Sequence, residues 1–294
     1  MEMSPLVASV TQPANDDSTS AAVHGFTQSA SSVKKPPLLI SLEGNIGAGK
    51  STLLEKLADK LAREEADAQK KWVFLREPVH IWETIRDEQG ETMLSKFYAD
   101  TAKYAFAFQI MAYTTRLHEL RRLLREHPDC YGIICERSLE ADKHIFAKML
   151  HADGTMEDVM YQIYDRYFAE YESEFQLSGL IYVDADPAVC FERIKQRSRE
   201  GESSIPLSYL ETCRDYHETW LMEGSSPNKT PKLLHLHTNS PATFDPDDAD
   251  DVGHAWLQCI VDFLDHIREN WAEGALVWMK KGKKTFYHVF FVAL

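Results

Sequence analysis

"LLISLEGNIGAGKSTLLEKL", residues 38–57, reads in order as an apolar run, a glycine-rich loop and the first turns of an amphipathic helix. The loop fits G-x-x-x-x-G-K-[ST] at Gly44, Gly49, Lys50 and Ser51. In this pattern glycines let backbone N–H groups turn inward around phosphate oxygens, the lysine supplies a point charge, and the hydroxyl after it can bind Mg²⁺. A glycine-rich turn with a chance lysine has the same letters, but the flanks argue against it. A buried strand leads in and a helix leads out, which puts the positive end of the helix dipole at the phosphates. Gly44, Asn45, Ile46, Gly47, Ala48, Gly49, Lys50, Ser51 and Thr52 are therefore the candidate phosphate-binding residues.

Working outward, short aliphatic or β-branched runs alternate with helical patterns, the signature of a parallel sheet covered on both faces. Strands are expected at 38–42, 72–75, 131–135, 180–183 and 233–237, and helices at 51–69, 92–126, 157–171, 187–197, 207–222 and 251–270. The fold class is thus α/β, a doubly wound, five-stranded parallel sheet flanked by helices on both faces. The stretch 239–251, "NSPATFDPDDADD", is a polar, proline-containing loop.

The 294 residues, 44% of them hydrophobic, suffice for one large domain with a tail at each end. Residues 1–35 are rich in Ser, Ala, Thr and Asn and read as a disordered tail, 36–272 as the folded domain, and 273–294 as an extension with no assigned role. The tail has no Arg and carries Glu2, Asp16 and Asp17, which favours the cytoplasm over a mitochondrial presequence, the organelle being the alternative. A net charge of −14 repels a polyanion, so no nucleic-acid polymer is expected as partner. No apolar run approaches the roughly 20 residues of a membrane-spanning helix, so no membrane partner is expected. Cys130, Cys135, Cys190, Cys213 and Cys259 form no CxxC pair and read as reduced thiols of an intracellular protein.

Carboxyl ends of parallel strands face the ligand crevice. Glu136 directly follows the strand "YGIIC", where an acid can hold Mg²⁺, and Arg137 beside it matches phosphate oxygens or orients an acceptor. Glu77, in "REPVHIW", follows the strand "WVFL", and a carboxylate there can take a hydroxyl proton from the acceptor. Ser51 and Glu136 are the candidate metal ligands, and Glu77, Glu136 and Arg137 the candidate catalytic residues.

Together with "GNIGAGKST" at 44–52 and "EPV" at 77–79, the segments "FYADTAKYAFAFQ" at 97–109, "ERSLEAD" at 136–142 and "RIKQRSREGESSIPLSYL" at 193–210 fall in an ordered set. Over roughly residues 36–240 the chain resembles the deoxynucleoside kinases. The resemblance implies transfer of the γ-phosphate of ATP, or another nucleoside triphosphate, to the 5′-hydroxyl of a deoxynucleoside with Mg²⁺, and a homodimer with the long helix of 92–126 near its interface. It implies that Glu77 takes the 5′-hydroxyl proton, that Glu136 assists at Mg²⁺ or serves as the base instead, and that Arg137 contacts the 5′-oxygen and the phosphoryl group. Tyr98 and Glu202 are implied to bind the sugar 3′-hydroxyl. Gln109 is implied to read the base edge, with Trp82, Phe108 and Phe146 against its faces.

Gln109, Ala112 and Arg116 fall at i, i+3 and i+7 on one helix face. By the resemblance Asp142 lies across from Arg116, a charged pair found in members that accept deoxycytidine and purine deoxynucleosides. Arg193, Arg197 and Arg199 resemble a basic lid over the triphosphate, with Gly201 replacing a frequent second Glu, which implies a looser lid. Around Ser240 and Pro241 the resemblance is weakest, which leaves ATP and UTP both open as donor. A thymidylate-kinase-like monophosphate kinase and a non-enzymatic kinase-fold subunit of a larger complex are the alternatives. Retention of Lys50, Ser51, Glu77, Glu136 and Arg137 favours the enzyme.

Overall fold

The computed structural model describes residues 36–64, 71–197, 199, 202–223, 231–245, 247–248 and 250–273. The expected N-terminal tail, the C-terminal extension beyond Glu273, Gly201 and the last residues of the helix expected at 51–69 lie outside these.

Five strands, β1 (Leu38–Glu43), β2 (Trp72–Leu75), β3 (Gly132–Glu136), β4 (Gly179–Asp184) and β5 (Lys232–His237), form one sheet in the order β2-β3-β1-β4-β5. All pairings are parallel, with Ile40 beside Ile134 on one side of β1 and Leu42 beside Ile181 on the other. Every residue of β1, β3 and β4 is buried, whereas the edge strands β2 and β5 are only partly so. That is why the central strands read as unbroken apolar runs without alternation.

One sheet face is covered by α1 (Lys50–Glu64), α8 (Pro187–Arg197) and α10 (Val252–Glu273), whose Leu54, Leu57, Ile194, Ile260 and Leu264 pack with Ile40, Leu42 and Ile181. The other face is covered by α4 (Thr101–Glu126) and α7 (Asp158–Tyr171), whose Tyr113, Leu120, Tyr164 and Phe168 pack with Ile133 and Cys135. The expected doubly wound architecture is therefore present. Cys130, Cys135, Cys190 and Cys213 are buried, Cys259 is half-buried, and all are free thiols.

Two helical expectations need correction. The stretch 92–126 is not one helix but α3 (Met93–Ala99) and α4, separated at Asp100, which has φ −146° and ψ 76°. The Asp100 side chain accepts from the Lys103 N–H at 3.2 Å, and Thr92 caps α3 by accepting from the Ser95 N–H at 3.1 Å. A short acceptor that satisfies the next helix's free donors makes a break as favourable as a continuous helix. Residues 139–152, not expected to be helical, form α5 (Leu139–Ala141), a π-helical turn (Asp142–Ala147) and α6 (Lys148–Ala152), started by Ser138, whose Oγ accepts from the Ala141 N–H at 3.0 Å. The π turn spoils the 3.6-residue period and buries the charged Asp142, so a periodicity reading misses it. The short helix α2 (Val79–Trp82) follows β2, and α9 (Leu207–Glu218) ends in a π turn over Thr219–Glu223.

Candidate active site

The carboxyl ends of the strands open on a cavity of about 640 Å³, a size typical of small-molecule sites. At one end the loop after β1 turns into α1. Gly44, Gly47 and Gly49 take φ of +146°, +81° and +100°, which side-chain-bearing residues rarely adopt. A Cβ on Gly44 would stand 2.3 Å from the Val183 carbonyl oxygen, so only glycine lets the loop pass β4. Lys50 Nζ lies buried under the loop and donates to the carbonyls of Gly44 at 3.0 Å and Asn45 at 2.7 Å. Ser51 Oγ donates to Glu136 Oε1 at 2.6 Å, joining the two residues expected to hold a metal.

Burial lowers the Lys50 ammonium to about 8, with the Arg137 charge adding to the shift. Below that pH Lys50 is charged, and a bound triphosphate pulls its proton affinity back up, so binding above that pH must take up a proton. Nucleotide affinity is therefore expected to fall above pH 8, by up to about tenfold per pH unit. Titration of a fluorescent nucleotide analogue across this range checks it, and a flat affinity would argue against a phosphate contact by Lys50.

The catalytic candidates meet at the centre. Glu77 Oε1 is 3.3 Å from Arg137 Nε and 3.4 Å from Arg116 Nη2. Burial pushes the Glu77 carboxyl up, yet Arg137, Arg116 and Lys50 together hold it below the usual carboxylate range. Arg137 has φ 65°, the left-handed region, fixed by its N–H donating to the Leu42 carbonyl at 3.0 Å. Such a conformation costs about 1–3 kcal/mol and clusters at functional sites. Its guanidinium lies 4.7 Å from the Phe146 ring centroid, and its buried Nη1 has no hydrogen-bond partner among the described residues.

At the other end Phe108 stacks on Phe97 at 4.4 Å and meets Trp82 edge-on at 5.4 Å. Trp82 Nε1 donates to Thr115 Oγ1 at 2.9 Å, which fixes the indole. Gln109 is 2% exposed, and its Oε1 has no partner among the described residues. Asp142, which also borders the cavity, is gripped by Arg116, with Nε to Oδ2 at 3.0 Å and Nη2 to Oδ1 at 3.4 Å, while Arg116 Nη1 donates to the Glu136 carbonyl at 2.8 Å. Burial pushes Asp142 up, and Arg116 pulls it back only in part.

Of the residues expected from sequence, Ile46 through Thr52, the three catalytic candidates, the aromatic rings, Tyr98, Gln109, Ala112, Asp142, Glu202 and the three lid arginines all border the cavity. Gly44, Asn45 and Arg116 do not. Asn45 Nδ2 donates to the Leu210 carbonyl at 2.8 Å and ties the loop to α9, while Arg116, fully buried, sits behind Asp142 and Glu77. In the lid, Arg197 and Arg199 hold Glu202, the former at 3.0 Å and the latter at 3.2 Å, and Arg193 straps Ala48 and Thr238 through their carbonyls at 3.2 and 2.8 Å. The cavity also takes Val79, Leu94, Phe97 and Tyr209, and beyond Ser240 and Pro241 it takes Phe244 and Trp256. The Leu94 and Phe97 pair at i, i+3 was a legible apolar stripe. Phe244 and Trp256 carry no motif, since only the return of α10 brings them in.

The family model for deoxynucleoside kinase matches residues 40–261. The chain belongs to the deoxynucleoside kinase family. A fowlpox virus (strain NVSL) relative, named probable deoxycytidine kinase, is 34% identical over 63% of this chain and 72% of its own. Deoxycytidine kinase 2 of Gallus gallus is 33% identical over 66% and 77%, and the mitochondrial thymidine kinase 2 of Homo sapiens 31% identical over 68% and 71%. The kinase is an ATP-dependent phosphotransferase acting on deoxynucleosides. No helix among its described residues is long and apolar enough to cross a membrane.

Proposed function

We propose that the kinase transfers the γ-phosphoryl group of ATP to the 5′-hydroxyl of deoxycytidine or a purine deoxynucleoside, and discriminates against thymidine. The observation that carries this reading is the Asp142 carboxylate, held by Arg116 at 3.0 Å on the border of the cavity that Gln109 also lines, its amide oxygen without a partner among the described residues. Cytosine and adenine present an exocyclic amine that such acceptors satisfy, whereas thymine presents a carbonyl and a methyl group. A methyl group against a buried charged pair desolvates it with no hydrogen bond in return.

In this reading Glu77 accepts the 5′-hydroxyl proton as that oxygen meets phosphorus, and Arg137 Nη1 donates to the transferring phosphoryl group. The loop amides and Lys50 hold the donor phosphates. Arg197 and Arg199 exchange Glu202 for phosphate oxygens, which frees Glu202 to join Tyr98 at the sugar 3′-hydroxyl. Ser51 and Glu136, two hard oxygen donors 2.6 Å apart, suit Mg²⁺ and would hold it; when bound it neutralises charge on the phosphates. A homodimer is supported by Val159, Ile163 and Tyr167, at i, i+4 and i+8 of α7, which are 66%, 52% and 40% exposed beside α4.

The test compares kcat/KM for the four natural deoxynucleosides with Mg²⁺·ATP, on protein whose molar mass is read by light scattering. Good use of deoxycytidine or a purine deoxynucleoside with poor use of thymidine, at twice the chain mass, is the expected outcome. Thymidine as best substrate would sink the Asp142 argument and leave the kinase assignment standing. A monomeric mass would remove the dimer.

A further inference from the structure

Beyond the cavity, Asp184, His235 and His237 gather at the carboxyl ends of β4 and β5. In the parallel register Tyr182 lies beside His235 and Asp184 beside His237. Alternation along a strand then puts all three ligating side chains on one sheet face, opposite that of Val183, which borders the cavity. Asp184 Oδ2 stands 3.0 Å from His235 Nε2 and 3.2 Å from His237 Nδ1, and the three ligand atoms lie within 4.8 Å of one another. Ligands about 2.0–2.2 Å from a shared ion stand about 3–4 Å apart, which the 3.0 and 3.2 Å separations from Asp184 match.

A second observation comes from the other carboxylate oxygen. Asp184 is 5% exposed, and its Oδ1 has no hydrogen-bond partner among the described residues, the nearest cation being Arg214 Nη2 at 3.7 Å. Arg214 is itself neutralised by Asp186 at 2.7 Å and Glu218 at 2.9 Å. The group thus holds more carboxylate than guanidinium charge around two imidazoles, and a divalent cation relieves that excess. His237, with 70% of its side chain exposed, leaves an entry path and open coordination positions.

We propose that Asp184, His235 and His237 form a binding site for a divalent transition metal ion of the zinc class, separate from the phosphoryl-transfer centre. Two imidazole nitrogens and one carboxylate suit Zn²⁺ or Co²⁺, and not Mg²⁺, which prefers oxygen ligands. The ion ties β4 to β5 at their carboxyl ends. From there the chain enters α8, the lid helix, on one side and reaches Thr238, whose carbonyl anchors Arg193, on the other.

The full chain, stripped with a chelator and kept in excess Mg²⁺, is titrated with Zn²⁺ in a calorimeter and with Co²⁺ under visible absorption. Parent protein and Glu136→Gln are expected to take up one equivalent of Zn²⁺ at this site with equal affinity. His237→Ala, a change at a mostly exposed side chain, weakens it by at least about tenfold, the lower range for losing even a supporting partner of a ligand. The Co²⁺ band of a site with nitrogen ligands disappears in the same variant. Zn²⁺ uptake that is absent in the parent, unchanged in His237→Ala, or lost in Glu136→Gln overturns the proposal.

Discussion

Glu77→Gln is expected to lower kcat by about 10²–10⁴-fold, the range for loss of a positioned general base, with nucleotide affinity unchanged. Glu77 borders the cavity between two guanidinium groups, at 3.3 and 3.4 Å, and those charges keep it ionised at neutral pH despite burial. A carboxylate held so low is a weak base on its own. In the proposed transfer it suffices, because the hydroxyl grows acidic as its oxygen bonds to phosphorus and the proton moves late. Gln keeps the size and an acceptor oxygen for the two arginines but takes no proton.

The pH dependence follows the same sign. Because its folded-state value lies below the ordinary 4.5, Glu77 contributes to stability above that pH, and the contribution is lost as pH falls through the depressed value. The acid limb of kcat/KM is expected in that same window and is absent from the Gln variant. Single-turnover kinetics with a saturating donor separate this from a binding defect. A variant with parental kcat would transfer the role of base to Glu136.

Arg116→Leu is expected to cost about 3–5 kcal/mol of stability, the usual penalty for breaking a buried ion pair from one side. Arg116 is fully buried and holds Asp142, Glu77 and the Glu136 carbonyl. Without it Asp142 loses its hydrogen-bonded counter-charge, keeps only the weaker influence of Arg137, and is driven to bind a proton. Its folded-state value, already raised, rises further above the ordinary 3.8. The deficit is therefore smallest in acid and grows as pH climbs above that value.

The double variant Arg116→Met, Asp142→Leu tests this further. Replacing both charges with apolar groups removes the unpaired carboxylate, so most of the lost stability returns. Chemical denaturation at two pH values measures the recovery. The double variant is also expected to raise the ratio of thymidine to deoxycytidine use, since the methyl group then meets apolar surface. No recovery in the double variant would mean that Arg116 acts mainly through Glu77 and the Glu136 carbonyl.

The sequence alone determined the sheet and the phosphate loop of this kinase, because both rest on local chemistry. Short unbroken apolar runs rich in β-branched and aliphatic residues and bounded by turns are the mark of strands buried on two faces, and a glycine-rich turn before a helix carries its function in its own backbone. The rule that strand carboxyl ends face the crevice then placed Glu77 and Glu136 together across many intervening residues. Tertiary structure decided what depends on partners distant in the chain. The break at Asp100, the left-handed Arg137 and the π turn holding Asp142 each follow from competition between local geometry and packing, which residue periodicity does not encode. Arg116 was expected as a pocket residue, yet packing put it behind the pocket, where it holds Asp142 and Glu77, which border the cavity. The Asp184 and histidine cluster was invisible for the same reason: its ligands are far apart in sequence, and only the pairing of β4 with β5 makes them neighbours.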